Sequence, residues 1–364
     1  MKRLIRRFTH PRSEKVAGKG IPNDEASHGQ NCTPNSVPQE GGSMGNSHIS
    51  GTYKFSFVPG FFEDYAEIAK TSLDGKLSTQ PALGILSRDY DGIGSNLGYN
   101  KEDPQWARFE KYIQYLNQRH IDDGISYKLM YVIRHGRGIH NVKMDELKQS
   151  EEAGQLEIVN GIPLNWKNHW SHKDGDDKVI WADAQLVDEG IAEAQALSKL
   201  WLDEAQKDAL PLPGTIYTSP LARCLDTTKL VYTPVLTMHG RRLEPIVKEN
   251  LRERITDHTC DRRSSRSWIK QNYPDYIIEE GFSELDTSWK ANTSESLEQH
   301  INRTQILLDD IFAHDTSPII SLTTHSYTIT ALLAVLGYPK FMVNEGTIVA
   351  LFVKAEKAAG TSAS

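Results

Sequence analysis

Two kinds of apolar pattern alternate along the middle and end of the chain. Nearly continuous apolar or β-branched runs lie at residues 128–133 (KLMYVI), 215–218, 243–248, 319–323 and 347–353, the pattern of strands buried on both faces. Helical periodicity is clearest at residues 189–207, 221–230, 295–312 and 328–336, each set between two such runs. Strand then helix, repeated, predicts a layered α/β domain with a largely parallel sheet. Ahead of it, residues 51–125 form an aromatic-rich stretch containing FVPGFFEDYAEIAK and QWARFEKYIQYLNQR. This stretch is expected to be an N-terminal addition, helical toward its end, packed onto the core.

The flanks read differently. Residues 21–50 are dense in Gly, Pro, Ser, Asn and Gln, and residues 1–20 carry seven Lys/Arg against one acid. Neither composition buries enough apolar surface to offset its ordering entropy. Residues 1–50 and 355–364 are therefore expected to be disordered tails around a domain over 51–354. The basic start lacks the apolar stretch of a secretory signal, and its Arg-rich, acid-poor composition leaves a mitochondrial transit segment as the alternative to a plain tail. An intracellular location, cytoplasmic or nuclear with the mitochondrion as alternative, is the expectation.

Composition narrows the class. The 364 residues are 38% hydrophobic and 24% charged, ordinary for a globular domain. No apolar run approaches the roughly 20 residues of a spanning helix, so no membrane role is expected. A formal charge of −7 repels nucleic acid as a partner. Three scattered cysteines, Cys32, Cys224 and Cys260, give no disulfide framework and no CxxC pair. Sequons at Asn31, Asn292 and Asn302 read as chance without a signal sequence. No internal repeat, GxxxxGK[ST], GxGxxG or GxSxG is present.

Three short segments fall just past predicted strands, where α/β domains place their sites. They are RHGRGIHN (134–141), SPLARCLDT (219–227) and TTHS (323–326). Converging at one sheet edge, they bring together Arg134, His135, Arg223 and His325. Guanidinium forks and helix N-termini suit a phosphoryl group. The arginine charges also disfavour imidazolium, leaving His135 neutral and nucleophilic. Singly, such Arg and His residues are ordinary ion-pairing or structural groups; their combination in three loops carries the reading.

These motifs resemble the histidine phosphatase superfamily, the phosphoglycerate-mutase-like fold. The RHG at 134–136, SPLxRCxxT at 219–227 and the late Thr324-His325 pair occur in that family's order. WADAQLVDEGIAEA (181–194) is similar to its DxxLTxxGxxQA segment, with Val187 for Thr and Glu193 for Gln, and ENLRERITDHTCDRRS (249–264) to its LRE segment. RHGRGIHNV, LNWKNHW and the aromatic addition look most like the fungal phosphomutase-like proteins. The resemblance covers residues 53–353. It implies a three-layer α/β/α sandwich, with His135 as the phosphorylated nucleophile and Arg134, Arg223 and His325 around the phosphoryl group. It also implies Asn141 and Ser219 as substrate-side contacts and a proton donor in the LRE segment. Glu253 is the chosen donor, with Glu249 and Asp257 as rivals, because Ser326 stands where another branch places an Asp.

The resemblance implies catalysis without cofactor or metal. His169 and His172 of HWSH, or His258 and Cys260, lack a convincing set of further ligands. Cys224 reads as packing, Glu295 as a local hydrogen-bonding group, and DRRSSR (261–266) as either a second phosphate contact or a solvated basic loop. The expected protein is a phosphatase acting on small phosphorylated metabolites. A phosphomutase is the alternative, and a catalytically silent phosphate-binding or scaffold protein is the alternative of another class.

Overall fold

The computed structural model describes residues 52–90 and 98–358; the expected tail at 1–50 lies outside them. In chain order the elements are β1 (Tyr53–Phe57), α1 (Tyr65–Thr71), β2 (Lys76–Leu77), α2 (Gln105–Arg119), β3 (Ile125–Arg134), α3 (Ile139–Glu152), β4 (Ile158–Val159) and β5 (Ile162–Pro163). There follow α4 (Asp188–Asp208), β6 (Thr215–Thr218), α5 (Ala222–Met238), β7 (Ile246–Val247), α6 (Arg266–Asn272), β8 (Ile277–Ile278), α7 (Leu297–His314), β9 (Ile319–Thr324), α8 (Ser326–Val335), β10 (Met342–Val343) and β11 (Ile348–Lys357).

Seven strands make the central sheet, in the order β1-β11-β3-β9-β6-β7-β8. The pairs β3·β9, β9·β6, β6·β7 and β7·β8 are parallel. The KLMYVI run is wholly buried, as a central parallel strand requires. Side chains of β3 serve both faces: Lys128 lies over Phe312 of α7, while Tyr131, three residues on and so on the opposite face, meets Trp201 of α4 edge-on at 4.7 Å. Trp201 in turn meets Tyr232 of α5 at 5.2 Å, and α7 packs beside α8. The result is the expected three-layer α/β/α sandwich with a mostly parallel sheet.

The edges correct the sequence expectation. β11 runs antiparallel to β3, in register from Ile348↔Ile133 to Glu356↔Ile125, and continues to Lys357, three residues into the segment expected as a tail. The N-terminal addition is not only helical. Its β1 closes the sheet against β11, and its β2 pairs in parallel with β10, Lys76 opposite Met342. Phe61, Phe109 and Phe352 of β11 form one aromatic cluster, with centroids 4.9–5.3 Å apart. The addition is thus built into the main hydrophobic core. No described helix is long and apolar enough to cross a membrane.

Candidate active site

The loop after β3 is fixed before any side chain is considered. His135 N–H donates to Thr324 O and Gly346 N–H donates to His135 O, at 3.0 and 3.1 Å. Gly136 must be glycine, because a Cβ there would lie 2.3 Å from the carbonyl oxygen of Gly190, and a Cβ on Gly190 would lie 2.1 Å from that of Arg137. The glycines of RHG and of VDEG are the contact between this loop and α4. Thr227, the Thr of SPLxRCxxT, accepts from Gly136 N–H at 3.1 Å, so two motifs are joined by one bond.

Within that frame the His135 ring has one orientation. Its Nδ1 lies 2.7 Å from Gly136 O; a carbonyl only accepts, so Nδ1 carries the proton and Nε2 the lone pair. Nε2 accepts from Arg223 Nε at 3.2 Å. Burial first, then the charges of Arg223 and Arg134, hold this imidazole well below the usual histidine pKa. Arg223 is itself fully buried and anchored by Cys260 O at 2.8 Å and Asp261 Oδ1 at 3.2 Å. Arg134 is anchored by Val343 O and Glu345 Oε1, both at 2.7 Å.

These groups open onto a cavity of about 270 Å³. Arg134, His135, Arg223, Glu253 and Asn141 line it, so five of the seven sequence-predicted site residues converge there. Of the three carboxylates in contention for proton donor, only Glu253 lines it. Both oxygens of Glu249 are bound by Arg252 and Arg263 at 2.8 Å, and Asp257 faces His172 and Ser294. Burial, then the neighbouring Asp261, push the Glu253 carboxyl up to about 7, which lets it hold a proton near neutrality.

Two predicted contacts sit differently. Ser219 is fully buried, its Oγ 2.8 Å from His325 Nε2; it meets that ring and is not among the residues lining the cavity. His325 is also fully buried, its ring edge-on to that of His135 with centroids 5.0 Å apart, and is not among the residues lining the cavity. Asn141 keeps its place on the wall, but its Oδ1 accepts from Gly138 N–H at 3.0 Å and so caps α3.

Other residues proved structural. Arg262 and Arg263 of DRRSSR are tied to Asp174 and Glu249, each at 2.8 Å, and do not reach the cavity. Glu295 braces Arg303, whose guanidinium donates to the carbonyls of Asn250, Arg252 and Glu253 and so holds the LRE segment. Cys224 packs 3.3 Å from His325 Nε2, with burial pushing its thiol pKa up. Among the described residues the grouping with metal-ligand spacing is His258, Cys260 and Asp261, within 4.8 Å of one another, not HWSH. There Asp261 already holds Arg223 and Thr256, and burial keeps the Cys260 thiol protonated, a poor donor set for a cation.

The sequence reading overlooked His140, Asp183, Lys76 and Arg254. His140 lies inside the RHGRGIHN segment and stands 5.8 Å from His135, so its signal was on view. Asp183 receives Ala222 N–H at the start of α5 and Ser264 N–H, both at 2.9 Å, locking the Arg223 helix to the 261–266 loop. Lys76 and Arg254 line the cavity from remote segments.

The model of the histidine phosphatase superfamily, branch 1, matches residues 168–345, a span holding Arg223, Glu253 and His325 but beginning after the RHG loop. The chain is 34% identical over 314 residues to a probable phosphoglycerate mutase of Arthroderma benhamiae, covering 86% of this chain and 88% of that protein. It is 30% identical over 233 residues to phosphomutase-like protein 3 of Candida albicans, covering 63% and 66%. A solved phosphoglycerate mutase from Bacillus anthracis is similar at 17% identity with a TM-score of 0.39, covering 64% of this chain and 90% of that one. By its 34% identity to the Arthroderma benhamiae relative over 86% of its length, together with the match to that family model, the chain belongs to the histidine phosphatase superfamily.

Proposed function

We propose that the protein is a phosphatase that hydrolyses small phosphate monoesters through a phosphohistidine on His135. The observation that carries this is the His135 ring: Nδ1 is pinned to Gly136 O, which leaves the Nε2 lone pair facing Arg223 in a cavity that the Glu253 carboxyl also lines. A phosphoryl group bound against Arg134 and Arg223 is attacked at phosphorus by Nε2, and the bond from phosphorus to the leaving oxygen breaks. Glu253 gives its proton to that oxygen, since an alkoxide leaves poorly. The arginines balance the charge on the phosphoryl oxygens, the task divalent metals perform in other phosphoryl-transfer sites.

In the second half a water attacks phosphorus, the Glu253 carboxylate takes its proton, and the N–P bond breaks to restore Nε2 and release inorganic phosphate. Water asks for no second substrate pose, which favours hydrolysis over return of the phosphoryl group to a hydroxyl. The names of the two fungal relatives favour the mutase reading. Incubation with 3-phosphoglycerate and a catalytic amount of 2,3-bisphosphoglycerate separates the two: phosphate release supports the phosphatase, and isomerisation without release overturns it in favour of the mutase. His135→Ala is expected to bring turnover to background and to abolish the acid-labile, alkali-stable phosphoryl label that the parent protein takes from substrate. Label persisting in that variant removes His135 as the nucleophile.

A further inference from the structure

The carboxyl half of α5 carries a stripe of polar side chains that the fold leaves unused. Lys229, Thr233 and Thr237 stand four residues apart on that helix and so share one side of it. All three line a cavity of about 440 Å³, closed by the turns at residues 240–243 and 272–276. Other helical threonines bond back to their own helix, Thr227 to Arg223 O, Thr304 to His300 O and Thr330 to Ser326 O. The hydroxyls of Thr233 and Thr237 have no hydrogen-bond partner among the described residues.

The charge of this cavity runs against that of the chain. The whole molecule carries a formal −7, yet the lining holds Lys229, Arg241 and Arg242 against Asp275 alone. None of these four has an ion-pair partner among the described residues. Arg241 is oriented all the same, its Nη2 donating to Pro213 O at 3.2 Å and to Gly214 O at 3.4 Å. Carbonyls aim a guanidinium without neutralising it. The carboxyl end of a helix repels anions, but here its last carbonyls are taken: Leu236 O accepts from Arg241 N–H at 2.9 Å and Thr237 O from Gly240 N–H at 3.0 Å.

The rest of the lining is apolar. Tyr273 and Tyr276 are buried, and their hydroxyls turn to α5, donating to Asp226 Oδ1 at 2.8 Å and to Leu225 O at 3.0 Å. What they leave to the cavity is ring, beside Leu243 and Pro274. Uncompensated cations and free hydroxyls next to aromatic rings fit a ligand that joins a multiply charged anion to a flat group. The volume falls within the roughly 300–1,000 Å³ of small-molecule sites.

We infer that this cavity binds a nucleoside di- or triphosphate, its phosphate chain on Lys229, Arg241 and Arg242 and its base against Tyr273 and Tyr276. The site shares no lining residue with the cavity at His135, and the inference stands apart from the phosphatase reading.

The test is calorimetric titration of the full chain with ADP, pyrophosphate and adenosine. ADP is expected to bind tightest. The double variant Lys229→Ala/Arg242→Ala is expected to weaken ADP about tenfold or more, and Lys229→Arg to bind it as the parent does. Both replaced side chains are exposed, so the ADP-free melting temperature of the double variant is expected to match that of the parent. If ADP also enters the cavity at His135, the parent shows two binding events, and the double variant is expected to lose one of them. ADP binding unchanged in the double variant, or adenosine binding as tightly as ADP, overturns the site. Pyrophosphate binding as tightly as ADP overturns the nucleotide in favour of a bare polyphosphate.

Discussion

Two cavities lie at opposite ends of the parallel strands, and the larger one is not the candidate site. At the amino ends of β3 and β9 a space of about 490 Å³ is bounded by Ile125, Lys128, Phe312 and Pro318. Its buried cation is satisfied: Lys128 Nζ donates to Asp315 O at 2.6 Å and to Ser317 O at 2.5 Å, over the Phe312 ring. At the carboxyl ends a space of about 270 Å³ carries Arg134 Nε, His140 Nδ1, Arg254 Nε and Ser326 Oγ, all buried without a hydrogen-bond partner. No residue lining the larger cavity has such an atom among the described residues. Unsatisfied polar groups are costly to a fold unless a ligand completes them. Volume therefore says less about function here than hydrogen bonding does, and the carboxyl-end placement is the one α/β topology favours.

The sharpest way to break this contrast is to alter one cation at each end. Arg223→Lys keeps a positive charge beside Asp261 but cannot hold His135 Nε2, Cys260 O and Asp261 together as the fork does. It is expected to cut kcat/KM by about a hundredfold or more. Lys128→Met is expected to leave kcat/KM within about twofold and to lower the melting temperature, because two buried carbonyls lose their donor. Steady-state kinetics with thermal unfolding reads both. Comparable losses of activity in the two variants dissolve the distinction between the ends.

A smaller effect sharpens the carboxyl end. Glu253 must be protonated to act as the acid, so kcat/KM of the parent is expected to fall as pH rises through about 7, the value to which its carboxyl is pushed. Glu253→Gln removes that alkaline fall. It is expected to slow alkyl phosphates about a hundredfold while leaving p-nitrophenyl phosphate, whose leaving oxygen needs no proton, within a fewfold. Equal losses on both substrates assign the carboxylate to another task.

How far these positions could be read in advance follows from how local their signals are. Arg134, His135, Arg223 and Glu253 stand in short motifs beside strands with continuous apolar runs, and both the strands and the loops could be seen. The direction of β11 could not, because an apolar run buried on both faces reads alike parallel or antiparallel. The helix α3 left no apolar period, since His140 is its one buried residue. Lys76 sits in a two-residue strand whose partner, Met342, is remote in the sequence, and no pattern around it signals a cavity. Ser219 was visible in its motif, but the motif cannot say whether a hydroxyl faces substrate or a second histidine. Local order and the residues that meet at the cavity were therefore legible, while the contacts made by sequence-distant pairing were not.

The smallest expected effect is on stability, and its sign differs from that of the activity change. The folded protein holds the Glu253 proton more tightly than the unfolded chain, about 7 against an ordinary 4.5. Below pH 4.5 both states are protonated and the residue costs the fold nothing. Between 4.5 and about 7 the unfolded chain ionises first, so stability falls as pH rises, and above 7 the full cost of a partly buried carboxylate beside Asp261 is present. Gln titrates in neither state. Glu253→Gln is thus expected to melt with the parent near pH 4 and a few degrees above it at pH 8, a variant that gains stability while losing catalysis, as residues held at a strained charge site do. Scanning calorimetry at the two pH values reads the difference directly. A gap of the same size at both would mean that the Glu253 carboxyl is solvated like a surface acid, and the carboxyl-end cavity would then lose its candidate proton donor while keeping His135 and its arginines.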